Sequence, residues 1–378
     1  MLINNCRVCH QSLLSEPLLS YENMPKSAQF FPDKDTVKND KGEDLDIYQC
    51  SGCGLIQLNK EPVDYYKQVI RAAGISEEMT TFRQSQFSQW IKDYSLIGKK
   101  ILEVGCGAGE YLKLMDANNV QADGIEHRIE SVERCLEQGL SVKQCFIDSS
   151  TTVLDCGPYD AFFMLNFLEH LPDPNATLVG ICNNLKDDAV GVVEVPNFDM
   201  ILRKNLFSEF ISDHLFYFTK ETLISTLSRS GFEIIECNEV WHEYSISAVI
   251  KKRKKTNLSI FSQHQSRLTK QLHEYIDLFP DNSVAIWGAG HQALAVMSLT
   301  QLGGRVKYVI DSATFKQKKY TPATHIPIVS PDNLNSDPVN TVIVMAASYS
   351  DEVRNIIKEK YSRDISIVVL REDGLDFA

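Results

Sequence analysis

The 378 residues predict an α/β protein with three parts, namely an N-terminal metal-binding module followed by two α/β units. Two apolar runs end in glycine-rich turns, at 105–109 and 288–290, and a helical pattern follows each turn. Two Cys-x-x-Cys pairs among the first 53 residues predict the module. We expect the parts to span 1–75, 76–255 and 256–378.

The first part contains Cys6, Cys9, Cys50 and Cys53, which form two Cys-x-x-Cys pairs. Four thiolates brought together make a tetrahedral site that suits Zn²⁺ and leaves no open position, so we expect a structural zinc. A redox role is the alternative, but neither pair follows a strand and opens a helix. The intervening residues 10–49 hold three prolines, so the sequence predicts a loop-rich module.

The second part begins its sheet with the apolar run 100–104, which ends in Gly105, Gly107 and Gly109. A strand that turns through glycines into a helix lets the backbone approach a ligand closely. The next apolar run ends in Glu126, twenty-one residues after Gly105. A carboxylate at this position can accept hydrogen bonds from both ribose hydroxyls, so the spacing predicts a nucleoside cofactor.

The residue before the turn indicates which nucleoside binds. Glu103 would repel a pyrophosphate but could face the cationic amino-acid part of S-adenosylmethionine (SAM). The segment 102–109 resembles the first motif of class I SAM-dependent methyltransferases. A glycine-rich turn in some other α/β domain is the alternative.

Further strands fit the same sheet. Asp148 follows the apolar stretch 142–147 and resembles the position near the adenine in this superfamily. Residues 159–166 predict a buried strand whose last residue, Asn166, lies at the carboxyl edge, where ligands bind in open α/β sheets. His170 follows in a loop and could be catalytic or could brace the site.

The third part repeats the pattern of strand, glycine turn and acid. A helix is expected over 258–279, then a strand that ends at Gly288, and a later strand that ends in Asp311. This Rossmann-like unit could bind a nucleotide, or it could be a degenerate copy without a ligand.

Composition restricts the partners. The net charge of −12 argues against nucleic acid or an anionic membrane as partner. No run of 18 apolar residues and no signal-peptide pattern is present, so we expect a cytoplasmic protein that acts on a small molecule. The oligomeric state is not predicted.

Over nearly its full length the chain resembles the sugar C-methyltransferases that act on nucleotide-linked deoxysugars. The resemblance implies a zinc module, a class I methyltransferase sheet that binds SAM and a C-terminal Rossmann-like domain. It also implies methyl transfer to a carbon next to a ketone. Its marks are the two Cys-x-x-Cys pairs and the segments 103–109, 194–197, 213–218, 288–290 and 311–328.

The same resemblance suggests the catalytic residues. In that family a stretch close to Tyr-His-Glu-His-Leu carries an acid and a histidine base, and residues 211–215 here read Ile-Ser-Asp-His-Leu. His214 is therefore the expected base and Asp213 its partner. A second family tyrosine lies in the link before the SAM domain, where our alignment puts Arg71. Arg71 could stabilise negative charge or hold a substrate carboxylate or phosphate.

Two alternatives remain open at this point. The absence of tyrosine at both family positions allows methylation of oxygen or nitrogen of a sugar or surface-polysaccharide precursor, which needs a base but no enolate stabiliser. A binding scaffold without catalysis is the other alternative. The intact Glu103, Gly105, Gly107 and Glu126 argue against it.

Overall fold

The structure is a computed structural model that describes residues 3–27, 29, 31–68, 75–361 and 364–377. It divides into two compact units, Met1–Lys254 and Lys255–Ala378. The expected zinc module therefore lies in the same compact unit as the expected SAM domain. Arg71 lies outside the described residues.

The first unit is built from strands and helices that follow each other in the order expected for an α/β sheet. Its strands are β1 (Leu19–Met24), β2 (Glu43–Gln49), β3 (Ile56–Leu58), β4 (Lys100–Val104), β5 (Gln121–Glu126), β6 (Ser141–Gln144), β7 (Tyr159–Leu165), β8 (Leu185–Pro196), β9 (Phe216–Tyr217), β10 (Phe232–Val240) and β11 (Ser245–Lys252). Its α-helices are α1 (Glu77–Asp93), α2 (Glu110–Asp116), α3 (Ile129–Glu137), α4 (Pro174–Asn183), α5 (Phe198–Lys204) and α6 (Lys220–Arg229).

The large sheet of this unit has the order β10-β11-β8-β7-β4-β5-β6. The strands from β6 to β8 run parallel, and β10 and β11 add an antiparallel edge. The central strand β7 is buried over most of its length, which is why it reads as a continuous apolar run. This is the class I methyltransferase sheet that the sequence predicts, and the carboxyl ends of β4, β5 and β7 meet at one edge.

Side-chain caps fix where several helices of this unit begin. Ser76 accepts a hydrogen bond from the backbone of α1, and Asp173 accepts one from the backbone of α4. Asn197 caps α5 in the same way. Each cap satisfies a backbone N–H that has no partner inside its helix, so the polar residue before the apolar pattern marks the helix start.

The small sheet has the antiparallel order β1-β2-β3-β9, so the N-terminal module is more regular than the loop-rich region that the sequence predicts. Its signal is the alternation in β2, where Leu45 and Ile47 are buried and Asp44 is exposed. Strand β9 comes from the segment directly after His214. The module therefore pairs with the chain next to the expected base.

The described residues also form five short 3₁₀ helices, four in the first unit and one in the second, and two of those in the first unit lie near the expected site. They are η1 (Val37–Asn39), η2 (Tyr66–Gln68), η3 (Leu168–His170), η4 (Phe207–Glu209) and η5 (Ala347–Tyr349).

The second unit is a six-stranded sheet of order β14-β13-β12-β15-β16-β17 in the part of the chain that the structure describes. Only β17 runs antiparallel to its neighbour. Its elements are α7 (Ser259–Ile276), β12 (Val284–Trp287), α8 (His291–Leu299), β13 (Tyr308–Ile310), β14 (Ile328–Val329), α9 (Asn333–Ser336), β15 (Thr341–Val344), α10 (Ser350–Lys360), β16 (Ser366–Arg371) and β17 (Gly374–Phe377). Among the described helices of both units, none combines the length and the apolar character that a membrane span requires.

Candidate functional site

The glycine turn after β4 adopts the backbone that its sequence predicts. Gly105, Gly107 and Gly109 have φ values of 74°, 57° and 83°, in the left-handed region that favours glycine. A side chain on Gly109 would lie 2.5 Å from Leu140, whereas one on Gly107 would meet nothing within 4 Å. Gly109 is therefore required by packing, and Gly107 faces open space that a ligand can use.

Glu126, at the end of β5, is held against this turn. Its carboxylate accepts hydrogen bonds from the backbone N–H of Gly107, at 3.0 Å, and from that of Arg128, at 2.9 Å. The side chain is 9% exposed. The two backbone bonds orient the carboxylate and leave further lone pairs for a ligand hydroxyl.

A narrow cleft opens beside the turn. Its walls combine the backbone of the turn, the end of β5 and a set of apolar and aromatic side chains. The lining residues are Lys67, Val104, Gly105, Ile125, Glu126, His127, Cys145, Phe146, Ile147, Phe167 and Thr177. An apolar slot with one carboxylate at its edge suits a nucleoside.

The remaining predicted cofactor residues lie around this cleft. Glu103 is buried near the end of β4. Asn166 follows β7 with a φ of 50°, and its backbone N–H donates to the carbonyl of Glu194 at 2.8 Å. Asp148 is 56% exposed and pairs with Lys67 at 2.9 Å, and the Lys67 ammonium also lies 4.7 Å from the ring centre of Phe146.

A buried ion pair fixes the strand next to Asn166. Arg83 of α1 lies 2.6 Å from the Glu194 carboxylate of β8, and both side chains are almost completely buried. Gln86 donates to the other Glu194 oxygen at 2.5 Å. The two carboxylate oxygens are thus both bound, so the carboxyl end of β8 is held in place beside β7.

A second group of polar side chains surrounds the expected base. The Tyr65 hydroxyl donates to the Asp213 carboxylate at 2.7 Å, and Nδ1 of His170 lies 2.8 Å from the Asp213 carbonyl oxygen. The His170 and His214 rings meet edge to face with centres 4.7 Å apart. Tyr65, His170, Asp213 and His214 form what we call the base cluster.

Two short segments connect the cofactor cleft to the base cluster. Phe167 lines the cleft, and His170 of the cluster lies three residues later in η3. Tyr65 belongs to the cluster, and Lys67 of the cleft follows two residues later. A 3₁₀ helix rises about 2 Å per residue, so Phe167 and His170 lie about 6 Å apart along the backbone. The two sets of residues are therefore neighbours along the chain at both segments.

Burial determines the charge states in the base cluster. It lowers the pKa of His214 well below its usual value, and a protonated His170 beside it would lower it further. Burial also lowers the pKa of His170 to about 4, although the Asp213 carbonyl opposes this shift. Both imidazoles are therefore neutral near pH 7 and can accept a proton.

Glu169 is a buried acid beside this cluster that sequence reasoning missed. It is 1% exposed, and burial raises its pKa to about 8. Its Oε1 lies 3.8 Å from Nε2 of His170. The sequence signal is the pair Glu169-His170 directly after the loop that follows β7.

Tyr65 is the second residue that sequence reasoning missed. The resemblance predicts a tyrosine in the link before the SAM domain, and Tyr65 is a tyrosine in this link, six residues before Arg71.

Ser212 is one of the two positions before Asp213 that differ from the family stretch. Its hydroxyl lies 2.5 Å from a Glu43 oxygen and 3.1 Å from the Pro25 carbonyl oxygen. Ser212 therefore connects the site to the N-terminal module.

His214 also lines an aromatic pocket. It is mostly apolar, with one acid that accepts a hydrogen bond from a tyrosine hydroxyl (Glu209 from Tyr244, 2.8 Å). The lining residues are Pro196, Phe198, Ile201, Glu209, His214, Phe216, Tyr217 and Tyr244. The described residues that line this pocket all belong to the first unit.

The four predicted zinc ligands converge in the N-terminal module. The sulfur atoms of Cys6, Cys9, Cys50 and Cys53 all lie within 4.8 Å of one another, and two pairs are 3.7 Å and 3.3 Å apart. Zn–S bonds of about 2.3 Å place tetrahedral sulfurs about 3.8 Å apart. The thiol set therefore fits one zinc ion.

Backbone N–H groups point at two of these sulfurs. The Cys6 sulfur accepts hydrogen bonds from the backbone N–H groups of Val8, at 3.4 Å, and Cys9, at 3.5 Å. The Cys50 sulfur accepts from the equivalent groups of Gly52, at 3.3 Å, and Cys53, at 3.4 Å. The residues after each pair, His10 and Gly54, have φ values of 63° and 77°. N–H donors stabilise thiolate over thiol, as metal ligation requires.

The second unit has its own turn after β12. The backbone N–H of Ala289 donates to Asp311 at 2.9 Å, and the Lys316 ammonium lies 2.8 Å from the same carboxylate. Gly288 has a φ of 122°, and a side chain there would lie 2.5 Å from the Met345 carbonyl oxygen.

Comparison with family models gives two matches. The model described as a methyltransferase domain matches residues 79–237. The model described as a C-methyltransferase C-terminal domain matches residues 245–370.

The similar proteins include a C-methyltransferase, an O-methyltransferase and a methyltransferase of known structure. The C-methyltransferase NovU of Streptomyces niveus is 20% identical, over 94% of this chain and 93% of that protein. A ubiquinone biosynthesis O-methyltransferase of Chromobacterium violaceum is 32% identical, but over only 24% of this chain and 41% of that protein. A SAM-dependent methyltransferase structure from Clostridium acetobutylicum covers 46% of this chain and 92% of its own, with 12% identity and a TM-score of 0.37.

Proposed function

Because the chain belongs to the SAM-dependent C-methyltransferases, we propose that it methylates a carbon next to a ketone in a nucleotide-linked deoxysugar. The observation that carries this proposal is the base cluster beside the cofactor cleft. A carbon next to a ketone becomes a nucleophile when it loses a proton, provided that the enolate oxygen is stabilised. The cluster offers groups for both tasks.

SAM occupies the cleft of the first unit in this proposal. Glu126 accepts the ribose hydroxyls, and Glu103 faces the amino-acid end. The open space at Gly107 supports this, because a bound nucleoside needs close access to the backbone. Asp148 lies on the adenine side of the cofactor, and Asn166 contacts the cofactor from the end of β7. Lys67 pairs with Asp148, so it must release or share this carboxylate when the adenine binds.

His214 is the proposed base. It takes the proton from the acceptor carbon, and the resulting imidazolium is stabilised by the neighbouring Asp213. The lowered pKa keeps the ring neutral, with its lone pair available, but it also makes the ring a weak base, so the imidazolium that forms needs the negative charge of Asp213. The carbanion then attacks the methyl group of SAM in line with the S–C bond, and S-adenosylhomocysteine leaves.

Tyr65 is the proposed stabiliser of the enolate, in the role that the sequence assigned to Arg71. Its hydroxyl is anchored 2.7 Å from Asp213, which keeps a phenol at the base cluster. The phenol has one O–H hydrogen, which Asp213 accepts in this structure, so Tyr65 stabilises the enolate when that hydrogen turns from Asp213 to the enolate oxygen. Arg71 stays a prediction for contact with an anionic part of the substrate.

The Cys6, Cys9, Cys50 and Cys53 cluster is proposed to hold a structural zinc. Four protein ligands leave no position for a substrate, so the ion would stabilise the module and would take no part in methyl transfer. Metal analysis of the purified protein should give one zinc per chain. A stable protein without zinc after chelation would contradict this part of the proposal.

The acceptor chemistry can be tested with SAM labelled in its methyl group and a set of nucleotide-linked keto-deoxysugars. We expect the label on a carbon next to the ketone. Incubation in D₂O without SAM should also exchange that carbon's hydrogen. Label on oxygen or nitrogen, without such exchange, would favour the O- or N-methylation alternative and contradict the proposal.

The base can be tested separately. His214→Ala should abolish methyl transfer and hydrogen exchange while SAM binding persists. The matched control is His242→Ala, because His242 is exposed and its ion pair is with the exposed Glu78 at 2.9 Å. Hydrogen exchange that persists in His214→Ala would move the base to another residue, with His170 the next candidate.

A further inference from the structure

Three side chains converge beside the cofactor cleft in an arrangement that the proposed reaction does not fully use. Glu169, His170 and His214 each bring one ligand-type atom into the group, and these atoms lie within 4.8 Å of one another. Glu169 is 1% exposed. Its Oε2 has no hydrogen-bond partner among the described residues, so this side chain carries a buried polar atom that is left unsatisfied.

The orientation of His170 leaves its Nε2 available to bind a metal ion. Its Nδ1 lies 2.8 Å from the Asp213 carbonyl oxygen, which can only accept, so Nδ1 carries the hydrogen. Nε2 therefore has a free lone pair and lies 3.8 Å from Glu169 Oε1. Metal-bound histidines typically donate their other N–H to a carbonyl or carboxylate in this way.

The distance of 3.8 Å is informative, because it is too long for a hydrogen bond between the two side chains. Tetrahedral bonds of about 2.0–2.2 Å from zinc to nitrogen and oxygen place two ligand atoms about 3.3–3.6 Å apart. The pair can therefore share an ion with small movements, whereas it cannot satisfy itself directly.

We propose that Glu169, His170 and His214 form a second metal site, which takes a divalent transition cation such as Zn²⁺ and thereby switches off methyl transfer. Two imidazoles and a carboxylate suit zinc and its neighbours in the first transition row, and Mg²⁺ prefers oxygen ligands. The loss of activity rests on the proposed role of His214. A lone pair bound to a cation cannot take a proton from the acceptor.

The experiment is a zinc titration of the full chain. Protein already holding one equivalent of Zn²⁺ is dialysed against increasing free Zn²⁺, and in parallel against Mg²⁺. We expect a second equivalent of Zn²⁺ and none of Mg²⁺. Glu169→Gln and His170→Asn should each weaken the second equivalent at least about tenfold.

The variants are chosen to preserve the fold. Glutamine keeps the shape of Glu169, and the amide of asparagine can keep the Nδ1 contact to the Asp213 carbonyl while Nε2 is removed. His242→Ala is the matched control and should keep both equivalents. Near-ultraviolet circular dichroism and the first zinc equivalent report whether each variant remains folded.

The outcomes separate the two proposals. A wild-type protein that takes only one equivalent, or a second equivalent that both folded variants bind as tightly, overturns the metal site. A second equivalent that inhibits methyl transfer in the wild type, with inhibition reversed by a chelator, supports it in full. If the variants lose the second equivalent but that equivalent does not inhibit the wild type, the metal site is supported and His214 is not the base.

Discussion

Each of the two units has a strand, a glycine turn and an acid, but the acid at each turn has different partners in the structure. In the first unit, Glu126 is held by backbone N–H groups, including that of Gly107 at 3.0 Å. In the second, Asp311 accepts from Ala289 at 2.9 Å and also pairs with Lys316 at 2.8 Å. Among the described residues, no lysine or arginine pairs with Glu126.

This difference teaches that a strand, a glycine turn and an acid predict a fold better than they predict a ligand. Glu126 lines an open cleft, and its carboxylate keeps lone pairs for hydroxyl groups. The Asp311 carboxylate already has a cation of its own. A ligand at the second turn would have to compete with Lys316, so we assign SAM to the first turn.

The largest expected effect concerns the second turn. Gly288→Ala should destabilise the second unit by about 3–5 kcal/mol, because a φ of 122° and a contact of 2.5 Å to a carbonyl oxygen both oppose a side chain. Gly290→Ala is the matched control, with a φ of −81° and nothing within 4 Å of the added atom. Hydrogen exchange of β12 and β15 in the full chain measures both, and equal protection in the two variants would contradict the prediction.

The next effect concerns the acid of the first turn. Glu126→Ala should weaken SAM binding by about 2–4 kcal/mol, which corresponds to the loss of two hydrogen bonds to a charged group. Calorimetry of SAM binding is the measurement. Asp311→Asn in the other turn is the control and should leave SAM affinity unchanged. If Asp311→Asn weakens SAM binding as much as Glu126→Ala does, our assignment of SAM to the first turn is wrong.

The sequence predicts the parallel sheets because their strands are buried apolar runs that end in glycines or acids. It misses the small sheet of the N-terminal module, since β1 is mostly exposed and β3 spans only three residues. The base cluster is harder to predict. Tyr65 and Asp213 are 148 residues apart, and only the pairing of β3 with β9 brings their segments together.

Glu169 shows a second limit of sequence reasoning. A glutamate in a loop normally reads as a solvated charge, and nothing in its neighbours indicates that its carboxyl group is buried without a partner. Burial arises from the packing of η3 against the segment after Asp213, where Leu215 donates its backbone N–H to the Glu169 carbonyl at 2.8 Å. This is a tertiary contact that local patterns do not encode.

A smaller effect tests why the first turn needs glycine. Gly107→Ala should weaken SAM binding about tenfold, because its side chain would enter the open space that the ligand uses. The stability of the first unit should fall by only about 1 kcal/mol, the cost of a left-handed alanine. Binding calorimetry and urea unfolding separate the two quantities. A variant that binds SAM normally would indicate that the ligand does not approach Gly107.

The smallest effect is the contribution of Asp311 to the stability of the second unit. Burial alone would raise the pKa of Asp311, but Lys316 and the backbone N–H groups of Ala313 and Ala289 outweigh it and hold the pKa below its usual value. The folded state therefore favours the ionised form. The resulting stabilisation is complete above the pKa of the unfolded chain and is lost as the pH falls through the folded pKa.

Asp311→Asn removes this charge, so the variant should be less stable than the wild type by about 1 kcal/mol at pH 6. The difference should shrink as the pH falls through the lowered pKa of the folded protein, because the wild-type carboxylate then becomes protonated as well. Urea unfolding at several pH values, followed by hydrogen exchange in β12 and β13, measures it. A difference that stays constant with pH would mean that Lys316 contributes no charge interaction, and the contrast between the two turns would then rest on the open cleft beside Glu126 alone.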